Sequence, residues 1–136
     1  MNENLVYALV QLVHNFGAVA VTAAPVAASW RTSESGPSRS ALLALVVIAW
    51  LAQIASGVSF GLTSLHYYGV LPDLSATART ALMLKVLCAA SGLGLSALLM
   101  LRGPRWSARA RERSWHALAG LGATALAAAA VLRWFS

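Results

Sequence analysis

Long stretches without a charged residue are the feature that most limits what this chain can fold into. No charged residue occurs from Asn4 to Trp30, a run of 27 residues, or from Ser40 to Pro72, a run of 33. An α-helix of about 20 apolar residues crosses the hydrocarbon core of a bilayer. Both stretches are therefore long enough to span a membrane.

Two further apolar segments complete a set of four predicted transmembrane helices, at about residues 5–28, 41–65, 80–101 and 114–132. The composition agrees: 59% of the residues are hydrophobic and 10% are charged, whereas a soluble domain carries about 25% charged residues. We predict an all-α fold, an integral membrane four-helix bundle, with residues 1–136 in a single domain.

The basic residues predict the orientation of this bundle. Five arginines lie in the segment 102–113, after the third predicted helix, while Arg31 and Arg39 follow the first. An even number of crossings separates these two loops, so they lie on the same side of the membrane. Because basic loops stay in the cytoplasm, we expect both loops there and both termini on the outer, periplasmic side of a bacterial inner membrane.

The same charge pattern limits the expected partners. The net charge is +6 and the isoelectric point is near 10.8, but the basic residues collect in loops rather than over a soluble face, so we expect no nucleic acid partner. The four predicted helices leave very little mass outside the bilayer. The expected partners are the lipid bilayer and other membrane protein subunits.

The acidic residues argue against an enzyme. Glu3, Glu34, Asp73 and Glu112 all fall in predicted termini or loops. Paired-carboxylate chemistry inside the membrane is therefore not expected, and no other catalytic arrangement is evident from the sequence.

Small residues predict where the helices contact one another, since close backbone approach holds membrane helices together. Gly57 and Gly61 stand at GxxxG spacing in the second predicted helix, and Gly92, Gly94 and Ser96 lie in the third. The fourth carries a ridge of small residues: Ala117, Gly120, Thr124, Ala127 and Ala128.

His14 is the ionisable residue placed deepest in the first predicted helix. Such groups are costly in hydrocarbon and usually face the bundle interior or a functional site. One interpretation is a neutral, hydrogen-bonded interior group, with its neighbours Gln11 and Asn15 bonding across to Gln53 or Ser56. Two alternatives give His14 a cofactor.

The first alternative is a single b-type haem with His14 and His66 as axial ligands. Gly17, one turn from His14, would let the flat ring approach, and Arg79 and Lys85 would meet its propionates near the outer surface. The two histidines differ in predicted depth by roughly 10 Å. This alternative describes a membrane electron carrier.

The second alternative is a copper site. Copper(I) favours the soft ligands Met and Cys, which imidazole can join. Met83 and Cys88 on the third predicted helix, with His14 and His66, supply ligands of these types.

Three segments together resemble CopD-type and related small membrane proteins. They are His14-Asn15-Phe16-Gly17, the glycine-containing run SGVSFG from Ser56 to Gly61, and ALMLKVLCAASGLGLSALL over 81–99, which carries Lys85 and is followed by Arg102. The resemblance covers about residues 5–105, and the positions that match the family individually are His14 and Lys85.

The resemblance implies a bacterial inner-membrane helical bundle involved in copper uptake or resistance, distantly similar to b-type cytochrome bundles. From all of this we predict a small non-enzymatic subunit of an inner-membrane redox or metal-handling assembly. The haem-carrying electron carrier and the CopD-like copper component are the alternatives, and the sequence leaves open whether a cofactor is bound.

Overall fold

The computed structural model describes residues 2–30 and 38–135, and these form four long helices without a strand. The helices are α1 (Glu3–Trp30), α2 (Arg39–Tyr68), α3 (Ala76–Arg102) and α4 (Ala108–Phe135), with a short 3₁₀ turn, Gly103–Arg105, before α4. Each is long and apolar enough to cross a membrane. The predicted all-α membrane fold is therefore confirmed. The predicted loop residues Arg31 and Glu34 lie outside the described residues.

Polar caps set the ends of the helices. The hydroxyl oxygens of Ser38 and Ser75 accept first-turn backbone N–H groups of α2 and α3 at 3.2 and 3.1 Å, as N-cap residues do. At the other end of α2, Gly69 adopts a left-handed conformation with φ +71° and donates its N–H to the Leu65 carbonyl. Glycine adopts this conformation without a side-chain clash, so it ends the helix cleanly.

Because of these caps, the helices extend beyond the predicted apolar spans. The largest difference is at α4, which was predicted to begin at about residue 114 and begins at Ala108. Ser107 caps it by accepting the N–H of Ala110 at 3.2 Å. The prediction was wrong there because it followed the apolar sequence, whereas the arginine-rich segment itself forms the first turns of the helix.

The four helices pack in sequence order around the bundle, each against the next and α4 against α1. The guanidinium of Arg39, at the start of α2, donates to the carbonyl of Ala28 near the end of α1 at 3.2 Å. At the opposite end, the hydroxyl of Ser75, before α3, donates to the carbonyl of Phe135 at the end of α4 at 2.5 Å. Neighbouring helices are therefore antiparallel.

An ion pair joins the starts of α2 and α4. Nη2 of Arg39 lies 3.1 Å from Oε2 of Glu112, so Arg39 and the arginine-rich segment 102–113 lie at the same end of the bundle, which we call the basic end. The opposite end, where both described termini lie, is called the terminal end.

The core is densest between the middle of the bundle and the basic end, where α2 contributes Trp50, only 1% exposed. Gly92 of α3 faces this indole: a Cβ there would lie 2.3 Å from its Cε2 atom. Gly122 of α4 faces α1 in the same way, since a Cβ would lie 2.7 Å from the carbonyl oxygen of Val21. Gly92 therefore lets α3 pack against the indole of α2, and Gly122 lets α4 approach the backbone of α1 closely.

Gly122 was not among the predicted contact residues, whereas Gly94 was, and a Cβ on Gly94 would meet nothing within 4 Å. The two glycines predicted on α2 do not lie at a helix contact either. A Cβ on Gly57 would meet nothing within 4 Å, and one on Gly61 would meet only a loop leucine side chain. The GxxxG face of α2 is therefore not a helix contact within the described chain. The small-residue ridge of α4 is also mostly exposed, and only Ala128 of its five residues is buried. The buried face of that helix instead includes Leu118, Gly122, Ala125 and Ala128.

Candidate functional site

A histidine and a lysine from different helices meet inside the bundle. His14 lies on the face of α1 that is directed at α2 and α3, and Lys85 lies about two and a half turns into α3. Nζ of Lys85 is 2.7 Å from Nε2 of His14, and the contact is partly buried. Ionisable groups within membrane-spanning helices usually face the bundle interior or a functional site, so this pair is a candidate site.

The other ring nitrogen of His14 also has a partner. Nδ1 lies 2.7 Å from Oγ of Ser56, and that hydroxyl lies 2.6 Å from the carbonyl oxygen of Ala52, to which it donates. A serine hydroxyl has one proton, so Ser56 accepts from the Nδ1–H of His14. In the neutral ring this leaves Nε2 unprotonated, so Nε2 accepts a hydrogen bond from the Lys85 ammonium.

Gln53 fixes the backbone beneath the imidazole. Its Nε2 donates to the carbonyl oxygen of His14 at 2.5 Å, and the side chain is buried. Gly17 makes room for it, since a Cβ at that position would lie 2.7 Å from the same Nε2 atom. The glycine one turn after His14 thus serves a helix contact, in place of the haem contact predicted for it.

An aromatic side chain closes one side of the imidazole. The ring of Phe60 meets His14 edge-on, with centroids 5.6 Å apart and an interplanar angle of 76°, and Tyr7 stacks on Phe60 at 6.4 Å. We call His14 and the four residues around it the His14 cluster: His14, Gln53, Ser56, Phe60 and Lys85. None of its members is an acid, so Lys85 has no carboxylate partner within the cluster.

The bundle encloses this cluster only in part. Along the described chain from Asn2 to Phe16 no side chain is buried, whereas five residues of α1 from Gly17 onward are. The cluster therefore lies where the buried part of α1 gives way to its exposed N-terminal half.

The structure does not bring His66 to His14. His66 is exposed near the end of α2, with its ring against Tyr67 at 4.9 Å. It lies ten residues beyond Ser56, which is about 15 Å along a helix axis. Because both ring nitrogens of His14 also have partners, this arrangement does not fit a haem held between the two histidines.

The predicted propionate contacts are separated as well. Arg79 is exposed at the start of α3, where its guanidinium donates to the Leu74 carbonyl at 3.3 Å. Lys85 turns inward to His14 rather than toward the outer surface.

The predicted copper ligands do not converge either. Met83 is 55% exposed, whereas Cys88 is 4% exposed and belongs to the hydrophobic core. Among the described residues, no group of three or more His, Cys, Asp or Glu side chains is arranged to hold a metal ion. These residues do not fit a copper site in this arrangement.

The sequence predicted two members of the cluster, Gln53 and Ser56, as hydrogen-bond partners of Gln11 and Asn15. In the structure Gln53 and Ser56 bond to His14 itself. Gln11 bonds to Asn15 at 2.7 Å on the exposed face of α1. The missed signal is the spacing of Gln53, Ser56 and Phe60, at i, i+3 and i+7, which places all three on one face of α2.

Comparison with known proteins yields no match: no protein-family model matches the chain, and neither a curated protein nor a solved structure shows significant similarity to it.

Proposed function

We propose that this chain is a small membrane-embedded subunit, without catalytic activity of its own, of a redox or metal-handling assembly of the bacterial inner membrane. In this proposal the His14–Lys85 pair is the site at which the subunit holds and exchanges a proton. The observation that carries the proposal is the 2.7 Å contact between Lys85 Nζ and His14 Nε2 within the transmembrane helices.

The energetic cost of the pair supports a functional role. A lysine within a membrane-spanning helix is unfavourable, and the cost reaches about 2.5–3.5 kcal/mol at the helix centre on insertion scales. Leucine or methionine in place of Lys85 would avoid that cost and still pack between the helices. A proton-exchanging site requires an ionisable side chain at this position, whereas an apolar side chain is sufficient for packing.

The hydrogen-bond directions define the chemistry. One proton lies between Nζ of Lys85 and Nε2 of His14. Its movement from Nζ to Nε2 gives a neutral amine and an imidazolium, and the imidazolium keeps its Nδ1–H bond to Ser56. The pair therefore passes a proton from α3 to α1 without losing a hydrogen bond, and Ser56 and Gln53 hold the ring in place during the transfer.

The subunit role rests on what surrounds the pair. The described helices have little mass outside the bilayer, and the cluster is only partly enclosed by this chain. A partner helix at the terminal end of α1 would complete the enclosure and provide the group with which the proton is exchanged. The redox or metal-handling chemistry belongs to that partner.

Purification of the tagged chain from native membranes in mild detergent tests this proposal. We expect it to co-purify in fixed ratio with larger membrane chains that carry haem or a bound metal, measured by pyridine haemochrome and elemental analysis. Lys85→Met should leave the composition of the assembly unchanged and lower its proton-coupled turnover.

Arg79→Gln is the matched control, because it also removes one cation from α3 but at an exposed position away from His14. It should leave turnover unchanged. Isolation of the chain alone would contradict the subunit role, and an unaltered turnover in Lys85→Met would contradict the proton site. A b-haem spectrum or bound copper from the chain alone would support the electron-carrier or CopD-like alternative instead.

A further inference from the structure

Two grooves meet at the basic end of the bundle, away from the His14 cluster. The first is an open groove of about 500 Å³ between the starts of α2 and α4, with Arg39, Arg109, Arg111 and Arg113 in its lining. The only acid lining it is Glu112. Among the described residues this groove is therefore strongly positive.

Among the described residues, two of these four arginines have no side-chain partner, charged or neutral. Arg39 pairs with Glu112, and Arg111 donates to the carbonyl of Trp106 at 2.6 Å. Arg109 and Arg113 have no ion-pair or side-chain hydrogen-bond partner within the part of the chain that the structure describes. They stand four residues apart and so lie on the same face of α4.

The position of these arginines near the start of α4 makes their positive charges less favourable. The start of a helix carries a partial positive charge, so basic residues there are unfavourable. The first turn of α4 contains no acid. An anion that binds Arg109 and Arg113 would offset both the side-chain charges and the helix dipole.

The second groove is apolar and adjoins the first. It has a volume of about 430 Å³ and shares Arg39 and Arg111 with the basic groove. The rest of its lining is mainly apolar and includes Leu43, Leu99, Met100 and Trp115. Leu43 is one turn further into α2 than Arg39, so the apolar groove extends from the charged end toward the membrane interior.

We propose that these joined grooves bind one anionic phospholipid from the leaflet at the basic end. Its phosphate lies between Arg109 and Arg113, and an acyl chain follows the apolar groove past Leu43 and Met100. A lipid combines the two chemistries that the grooves present, negative charge at the interface and an apolar chain beneath it, and basic pockets between membrane helices recognise lipid head groups in this way.

Native mass spectrometry of the detergent-solubilised full chain tests this proposal, with phosphatidylglycerol and phosphatidylcholine as probes. We expect preferential binding of one phosphatidylglycerol molecule. The double variant Arg109→Gln/Arg113→Gln should weaken that binding by about fivefold for each arginine. Arg109→Gln alone, at an exposed site, should change it in the same direction.

The matched control is Arg102→Gln/Arg105→Gln, which removes the same charge from the same segment but from outside both grooves. It should retain the preference. Equal loss in both double variants, or equal binding of the two lipids, would overturn the proposal. Glycerol 3-phosphate should not displace the lipid, and full displacement would show a simple phosphate site instead. Circular dichroism confirms that each variant keeps its helix content.

Discussion

Lys85 on α3 places its ammonium nitrogen 2.7 Å from Nε2 of His14 on α1, and this contact joins two helices that otherwise pack mainly against α2 and α4. The imidazole is held from its other side by Ser56 of α2. Three of the four helices are thus linked through a single histidine ring.

A double-mutant cycle measures how strongly this contact couples α1 to α3. For His14→Phe combined with Lys85→Met, we expect a coupling free energy of about 0.6–2 kcal/mol, the range of hydrogen bonds between membrane helices. Unfolding in mixed micelles supplies the free energies. The control cycle pairs Lys85→Met with His66→Phe, at an exposed site, and should be additive. A coupling near zero for His14 and Lys85 would show that the contact does not hold the helices together.

Gly92→Ala tests the packing of α3 against Trp50. The new Cβ would lie 2.3 Å from a ring atom of a side chain that is 1% exposed. Overpacking of this kind costs about 1–3 kcal/mol, which thermal unfolding monitored by circular dichroism would detect. Gly94→Ala, two residues away with nothing within 4 Å of its Cβ, should be neutral or slightly stabilising. Similar destabilisation by both variants would argue against this helix contact.

Ser75→Ala tests the junction at the terminal end of the bundle. Ser75 caps α3 and also donates to the carbonyl of Phe135 at the end of α4. Loss of the cap should lower the free energy of unfolding by about 1 kcal/mol. Ser59→Ala removes a hydroxyl that bonds only within its own helix, to the Ala55 carbonyl, and should have a smaller effect. The account would be contradicted if the order of the two effects were reversed.

Cysteine labelling tests the orientation predicted from the arginines. In a Cys88→Ala background, Ser38→Cys and Ser107→Cys probe the basic end, while Asp73→Cys probes the terminal end. A membrane-impermeant maleimide should label the first two only in inverted vesicles and the third only in right-side-out vesicles, because the basic end is predicted to be cytoplasmic. Labelling of Ser38→Cys and Ser107→Cys from opposite sides would contradict the bundle itself.

The four helices were predictable because the bilayer imposes a simple rule on sequence. Any helix that crosses it needs about 20 apolar residues. The charge-free runs 4–30 and 40–72 exceed that length, and Lys85 is the only charged residue in the third predicted span, 80–101. The positions of the helix ends were harder to predict from the sequence. Ser107 and the arginines after it form helix outside the apolar segment, where capping rather than hydrophobicity decides the boundary.

The site was only partly predictable. His14 stood out because an ionisable residue in an apolar run is unusual, but its partners depend on how the helices are rotated about their own axes. That rotation is set by contacts such as Gly92 against Trp50, and a single sequence does not specify it. The haem alternative placed Lys85 near the outer surface, and the structure turns it toward His14.

The most direct test of the account is the protonation pattern of the His14 ring in a bilayer, measured by ¹⁵N NMR. A variant with His66→Gln and His116→Gln, both exposed positions, leaves His14 as the sole histidine. At neutral pH we predict a protonated Nδ1, bonded to Ser56, and an unprotonated Nε2 whose resonance moves when Lys85→Met is added. A ring protonated at Nε2, or an Nε2 resonance that does not shift in the Lys85→Met variant, would contradict the His14–Lys85 site.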